Sequence, residues 1–298
     1  MKKLLLLLIF ISAKCEDNKF VIGTWPHGFF SSFFAVLNNL DWCDKNNKIP
    51  VVVWDGGYYF VPEKFNGSNN AWEYYFEPIS NLSYSEGDSI RKEYGAPNAF
   101  AFPHINPNQE NRQRAHAVIQ KYIKINPIVQ KKIDDFYKQN MEGKKTIGIH
   151  LRGTDKCYEI KPIDPDEFFK TANKFKEEYQ FLVATDEENL LKEAIKKIEG
   201  KVIYYPCYRS PNKMPIHCRS PNKAQVGEDV LIETILLSKC EKLIHSISNV
   251  STAALFFNPE LESIFFSSSA PQPEELLKQA EPSKKKKQEK KSKKHKKK

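Results

Sequence analysis

The 298 residues contain no apolar run near the roughly 20 that a membrane-crossing helix needs; the run at residues 4–11 is only eight long. Six cysteines (Cys15, Cys43, Cys157, Cys207, Cys218 and Cys240) are too few to staple a chain of this size. They form no Cys-x-x-Cys pair and have no matching histidine spacing, which argues against a structural zinc site. Also missing are a Gly-x-x-x-x-Gly-Lys phosphate loop and a Gly-x-Gly-x-x-Gly turn after a strand, so nucleotide hydrolysis by that route and dinucleotide redox chemistry lose support. The Gly-x-Ser-x-Gly of acyl hydrolases and the His-Glu-x-x-His of metalloproteases are absent too.

Basic character is equally scarce where a fold would need it. The formal charge is +9, but residues 284–298 hold eleven Lys against one Glu, which leaves the rest of the chain at −1. A nucleic-acid-binding fold is not implied. What is present is 40% hydrophobic and 12% aromatic content, enough for a full core. Residues 1–15 read as a signal peptide, with Lys2 and Lys3 before the apolar run and Ser12 and Ala13 after it. Lys14 stands where a lipid-attachment signal wants a small residue before Cys15. From 267 to 298, Ser, Pro, Gln, Glu and Lys replace apolar residues, so a disordered Lys-rich tail is expected, either solubilising or able to contact anionic surfaces.

Between leader and tail the pattern is α/β. Residues 20–22 read as a strand, 29–40 as a helix and 49–54 as a strand buried on both faces. Residues 113–139 resume a helical pattern that Pro127 breaks or kinks. The second half alternates more clearly: strands at 146–150, 181–184, 201–205 and 242–245, and helices at 166–179, 187–198, 229–240 and 251–257. Such alternation implies parallel sheets covered on both faces. With a polar junction at Met141-Glu142-Gly143, the division is an N-terminal acceptor-side α/β domain at 16–142 and a C-terminal Rossmann-like domain at 143–266. The repeated Arg-Ser-Pro-Asn-Lys at 209–213 and 219–223 reads as surface loop, and Cys207 and Cys218 as a local disulfide or as free thiols.

Ligands bind at the carboxyl ends of strands in doubly wound sheets. Three polar clusters fall there: residues 150–156, 185–187 and 246–252. Arg152 can clamp a diphosphate with parallel charge-assisted bonds. Hydroxyls and free amides before the last helix suit an anion. Asp186 and Glu233 can pair with a base or ribose, while Asp186 read alone would cap the following helix. Trp25, Trp54, Trp72, Tyr58 and Tyr59 are read either as platforms for a sugar or as core.

The string His150-Leu151-Arg152-Gly153-Thr154-Asp155-Lys156 resembles the His-x-Arg-Arg-Thr-Asp-Lys motif of the GDP-fucose-dependent fucosyltransferases of the α1,6, α1,2 and protein O-fucosyl superfamily. Leu182-Val183-Ala184-Thr185-Asp186-Glu187 resembles their second motif, and residues 229–257, with Glu233, Ser238, Cys240 and Ser246 to Ser251, their third. Gly153 departs from the motif's second Arg and Glu233 from the usual Asp.

The resemblance implies a GT-B-like α/β fold, two Rossmann-like doubly wound domains facing a cleft. It implies an inverting, metal-independent glycosyltransferase that needs no cofactor and moves fucose from GDP-fucose to a glycan or glycoprotein hydroxyl. Carried over, Arg152 binds the β-phosphate, and His150 with Glu233 recognises guanine. Asp155, Lys156, Asp186, Ser248, Asn249 and Ser251 complete the donor site. Glu159 is the first choice of base and Glu73 or Glu77 the second; His27, Gly28 and Glu73 lie on the acceptor side. Another nucleotide sugar as donor, or a secreted non-catalytic binding protein on a transferase scaffold, are the competing readings. The leader with an imported donor points to the secretory lumen (endoplasmic reticulum or Golgi) or secretion, where Asn66 and Asn81 head sequons. Asn249 heads another, expected to be unmodified because a glycan would block the donor pocket.

Overall fold

Short apolar runs alternating with amphipathic segments give two all-parallel sheets in the computed structural model, which describes residues 18–24, 27–85, 88–91, 106–154, 163–214, 216, 220 and 222–267. In the first half, strand β1 (Lys19–Ile22) leads into helix α1 (Phe29–Lys45), strand β2 (Ile49–Val52) and, much later, strand β3 (Ile90–Arg91). β1 lies between the other two and runs parallel to both, with Val21 opposite Val51 and Ile90. Helices α2 (Gln109–Tyr122) and α3 (Pro127–Asn140) follow. The pattern at 113–139 is therefore two helices. Pro127, which has no N–H to give, occupies the first position of α3, and the Asn126 side chain accepts from Ile128 N.

The second half holds β4 (Thr146–Leu151), α4 (Pro165–Asn173), β5 (Gln180–Thr185), α5 (Glu188–Lys197), β6 (Val202–Ile203), α6 (Lys223–Ser238), β7 (Lys242–Ser246), α7 (Asn249–Phe257) and β8 (Glu262–Phe266). The sheet order is β6-β5-β4-β7-β8, all parallel. The order in which strands are added reverses between β4 and β7, the switch point at which doubly wound folds open a crevice. Several bounds differ from the sequence reading. α6 starts at Lys223 rather than 229, capped by Asn222, which accepts from Gln225 N. Gln225, Glu228 and Asp229 in its first turns pair with one another and with Asn66 instead of showing an apolar period. α4 ends at Asn173, β6 keeps only two residues, and β3 and β8 were not expected.

Side chains sort by parity across this sheet. Ile147, Ile149 and Leu151 join Phe181, Val183 and Ile244 in an apolar cluster with Phe168 and Phe169 of α4 and Leu191 and Ala194 of α5. Leu182, Ala184 and Leu243 face the other way, into a cluster with α6 and α7. Gly148 shares that side, and a Cβ there would stand 2.8 Å from Leu237 Cδ2, so α6 lies directly on the strand. The same cluster continues through α1 to Trp54, Trp72, Tyr75 and Phe76 beside the first sheet. Phe34 of α1 and Phe256 of α7 meet with ring centroids 5.5 Å apart. Trp54, Trp72 and Tyr59 are thus core and not sugar platforms; Tyr58 is exposed, and Trp25 lies outside the described residues.

A polar clasp reinforces this junction. The Glu228 carboxylate, with no exposed surface, accepts from Lys132 of α3, from Gln225 at 2.9 Å and from Asn66 Nδ2 at 2.7 Å. Asn66 Nδ2 also donates to Tyr74 O at 2.8 Å, so this amide is spent on the fold rather than offered to a glycan. Asn81 is exposed. Cys43, Cys207 and Cys240 are free thiols, which removes Cys207 from the expected disulfide; Cys218 lies outside the described residues, as do the leader and the chain beyond Ser267.

Candidate functional site

At the carboxyl ends of β5, β4 and β7, the switch point opens into a narrow cleft. His150 on β4 and Arg152 just past it line the cleft, with Thr185 on β5 and Asp186 just past it, Cys207 and Tyr208 from the segment after β6, Asp229 and Glu233 from α6, and Val250 from α7. Regions 150–156, 185–187 and 246–252 each contribute, as their places after three adjacent strands require.

Asp186 organises the loop after β4. Its carboxylate accepts from Arg152 Nη1 at 2.5 Å, Gly153 N at 2.8 Å and Thr154 Oγ1 at 2.7 Å. The first position before α5 is held instead by Glu187, which makes no side-chain cap, so the capping alternative for Asp186 does not apply. At Gly153 a Cβ would stand 2.5 Å from Glu187 Oε2 and 2.9 Å from Leu190 Cδ1, so the ends of both side chains would have to move to admit one. The Glu187 carboxyl occupies that space and is itself buried, which raises its pKa.

His150 stands at the end of β4, 4% exposed, with Nδ1 2.9 Å from Ser251 Oγ. Burial, with Arg152 and His245 nearby, lowers its pKa to about 3, so the ring is neutral and acts by hydrogen bonding, not charge. Ser251 belongs to the first turn of α7, whose N-cap is Ser248, its hydroxyl accepting from Val250 N. Asn249 is the first residue of α7 and half-buried. The partial positive end of α7 and the Arg152 guanidinium therefore both serve the cleft, an arrangement suited to an anion.

On the opposite wall, α6 is buried nearly all round, yet it carries acids. Burying a carboxylate costs stability unless it is paired, so such acids point to function more than to folding. Asp229 accepts from Gln225 Nε2 at 2.8 Å, and burial raises its pKa to about 6. Glu233, one turn on, is raised to about 7 by burial, against the lowering effect of Arg209. Arg209 Nη2 donates to Glu233 Oε1 at 2.6 Å, and the Cys207 thiol stands 3.5 Å from the same oxygen. Arg209 and Ser210 are buried, which corrects the surface-loop reading at those two residues, whereas Pro211, Asn212 and Lys213 are exposed as expected. Sequence reasoning missed Arg209, Cys207, Tyr208 and Asp229. The one available signal was Asp229 four residues before Glu233 in an otherwise apolar stretch.

The structure brings together His150, Arg152, Asp186, Glu233 and Ser251, with Ser248 and Asn249 at the start of α7. Asp155, Lys156 and Glu159 lie outside the described residues. Gly28 immediately precedes α1, and His27 is exposed. Glu73 lines a separate hollow of about 500 Å³ beside Val51, Val52 and Val53, where it accepts from Ser68 and Asn70. It is not among the residues that line the Arg152 cleft. Glu77 faces Lys124 at 3.9 Å on the surface.

No known protein-family profile matches the chain, and no curated protein matches it in sequence. Solved structures do match in fold. NodZ α-1,6-fucosyltransferase soaked with GDP-fucose superimposes with a TM-score of 0.54 at 18% identity, over 81% of this chain and 93% of that one. Fucosyltransferase NodZ from Bradyrhizobium gives 0.53 at 17%, over 81% and 94%. POFUT1 in complex with GDP gives 0.51 at 11%, over 84% and 99%. The chain has the parallel α/β fold that these fucosyltransferases share.

Proposed function

We propose that the protein is a glycosyltransferase that moves fucose from GDP-fucose to a glycan or glycoprotein hydroxyl. The observation that carries the reading is the meeting of Arg152, the α7 start and the neutral His150 with Glu233 at one switch-point cleft. Its support is a fold shared with enzymes crystallised in complex with GDP or soaked with GDP-fucose. In this reading the two α/β units form a GT-B-like pair, with the second, 143–266, binding the donor and the first, 16–142, facing the acceptor.

The chemistry then follows from charge. As the bond from fucose to the β-phosphate breaks, negative charge grows on GDP. Arg152, held in place by Asp186, and the α7 amides stabilise it without a metal. Ser248, Asn249 and Ser251 line the phosphate side; His150 and Glu233 take the base. The acceptor hydroxyl oxygen bonds to the anomeric carbon from the face opposite the departing GDP, which makes the transfer inverting, and a carboxylate on that side takes its proton. Glu159 is the residue proposed for it, since Glu73 is hydrogen-bonded in another hollow. The leader places the reaction in the secretory lumen, with Asn81 as the sequon open to glycosylation and Asn249 unmodified. No helix among the described residues is long and apolar enough to cross a membrane.

Incubation with labelled GDP-fucose and an array of glycans and glycopeptides tests this. Expected are GDP release and label on a defined acceptor, both lost in Arg152→Ala. Transfer from a UDP-sugar in place of GDP-fucose would contradict the donor.

A further inference from the structure

Glu233 is unusual in how unequally its two carboxylate oxygens are used. Oε1 accepts from Arg209 Nη2 at 2.6 Å and faces the Cys207 thiol at 3.5 Å. No donor among the described residues reaches Oε2, although the residue lines the cleft. Arg209 is held from behind: Nη2 also donates to Tyr205 O at 3.0 Å, Nη1 donates to Cys207 O at 3.2 Å, and the guanidinium lies 5.6 Å from the Tyr204 ring centre. Its side chain is 5% exposed, and it is not among the cleft-lining residues. It therefore acts on the cleft through Glu233.

We propose that Arg209 is a specificity-determining positioning residue, which fixes the Glu233 carboxylate so that Oε2 is presented to the N1–H and N2–H edge of a guanine base. The inference rests on the guanine-nucleotide reading above and adds to it the residue that sets base selectivity. Guanine offers two donors along that edge, whereas adenine offers an acceptor at N1, which a fixed carboxylate repels. A lysine would supply charge at 209 but not the fork that spans Glu233 and two backbone carbonyls.

Arg209 also favours the ionised form of Glu233. Around this carboxyl stand Arg209 and Cys207 from the segment after β6, Asp229 on α6 itself, Asp186 just past β5, and His150 on β4 with Arg152 just past it. Burial and the two aspartates favour its protonated form, and Arg209 opposes them. A protonated carboxyl cannot accept both guanine donors, so GDP binding strengthens as pH rises through the titration of Glu233. Removing Arg209 shifts that rise to higher pH.

Calorimetric titration of the full chain with GDP and with ADP, over about pH 6 to 8.5, reads both effects. The wild type is expected to prefer GDP by about a hundredfold or more, because a site built to accept hydrogen bonds rejects a base that lacks the donors. In Arg209→Gln the preference at neutral pH falls to about tenfold or less, and the pH midpoint for GDP rises. Arg209→Lys restores the midpoint more than the preference. In a Glu233→Gln background, where no unpaired buried carboxylate threatens folding, Arg209→Gln is expected to leave the GDP-to-ADP ratio unchanged. A further drop there would mean that Arg209 meets the base directly, which overturns the proposal. Retention of the wild-type ratio and midpoint by folded Arg209→Gln also overturns it and leaves the guanine reading intact. A wild type that binds ADP as well as GDP, or neither, overturns both.

Discussion

A Cβ on Gly153 would meet Glu187 Oε2 at 2.5 Å, Leu190 Cδ1 at 2.9 Å and Glu187 Cβ at 3.0 Å. The glycine at this place, where the resembling motif has a second arginine, thus has a steric reason: the second-motif acid fills the volume. Gly153→Ala is expected to destabilise the protein by about 1–3 kcal/mol, the usual cost of overpacking, with partial recovery when Glu187→Ala is added. Chemical denaturation of the two variants measures it. The individual site residues differed in how far the sequence exposed them. His150, Arg152, Asp186 and Glu233 stood at strand ends or inside a motif, where position alone suggests chemistry. Arg209 sits between Tyr204 and Ser210 in a stretch without period, and only a folded chain brings its guanidinium to Glu233. The same limit hid the true role of Asp186, because its partners Arg152, Gly153 and Thr154 are more than thirty residues away in sequence.

Among the elements, α6 carries the most consequence. Its face toward β4 is set by Gly148, and its face toward the first half by Gly227, where a Cβ would stand 2.7 Å from Tyr75 Cζ and 3.1 Å from Tyr59 Cδ1. In an exposed helix, Gly→Ala gains about 1 kcal/mol in propensity. Here rigid rings leave no room, and Gly227→Ala is expected to lose about 1–3 kcal/mol instead, read as a lower urea midpoint. A stabilised Gly227→Ala protein would show that α6 does not seat on Tyr75 as described. The start of this helix was not legible because Gln225, Glu228 and Asp229 break the apolar pattern, each being satisfied by a distant or cross-turn partner. β8 was missed because Glu262–Phe266 runs straight toward the polar tail, and pairing with β7 over five residues decides its form. The central strands β4 and β5 were read almost to the residue, since β-branched and apolar runs buried on both faces leave little alternative.

For the molecule as a whole, buried titratable groups pull stability in two directions with pH. His150 and His245 are depressed from 6.5 to about 3 and about 4 by burial, so the unfolded chain takes up protons first as pH falls below about 6.5, and stability declines there. Glu233 is raised from 4.5 to about 7 by burial. Its native form holds a proton that the unfolded chain has released, so its contribution is full below about pH 4.5 and is lost as pH rises through 7. Glu233→Gln removes that loss. Relative to wild type, the variant is expected to gain stability steadily between about pH 4.5 and 7, as followed by urea unfolding; a constant difference across that range would contradict the burial of Glu233.

Thermal unfolding with and without nucleotide bears most directly on the cleft as a donor site. A ligand at a hundred times its Kd stabilises the native state by about 2.7 kcal/mol, roughly 5 °C or more for a chain of this length. GDP and GDP-fucose are expected to raise the unfolding temperature of the wild type by that order, UDP to leave it unchanged, and Arg152→Ala to abolish the shift. An equal shift with UDP, a shift that survives Arg152→Ala, or no shift with any nucleotide would contradict a GDP-fucose site at the β4–β7 switch point.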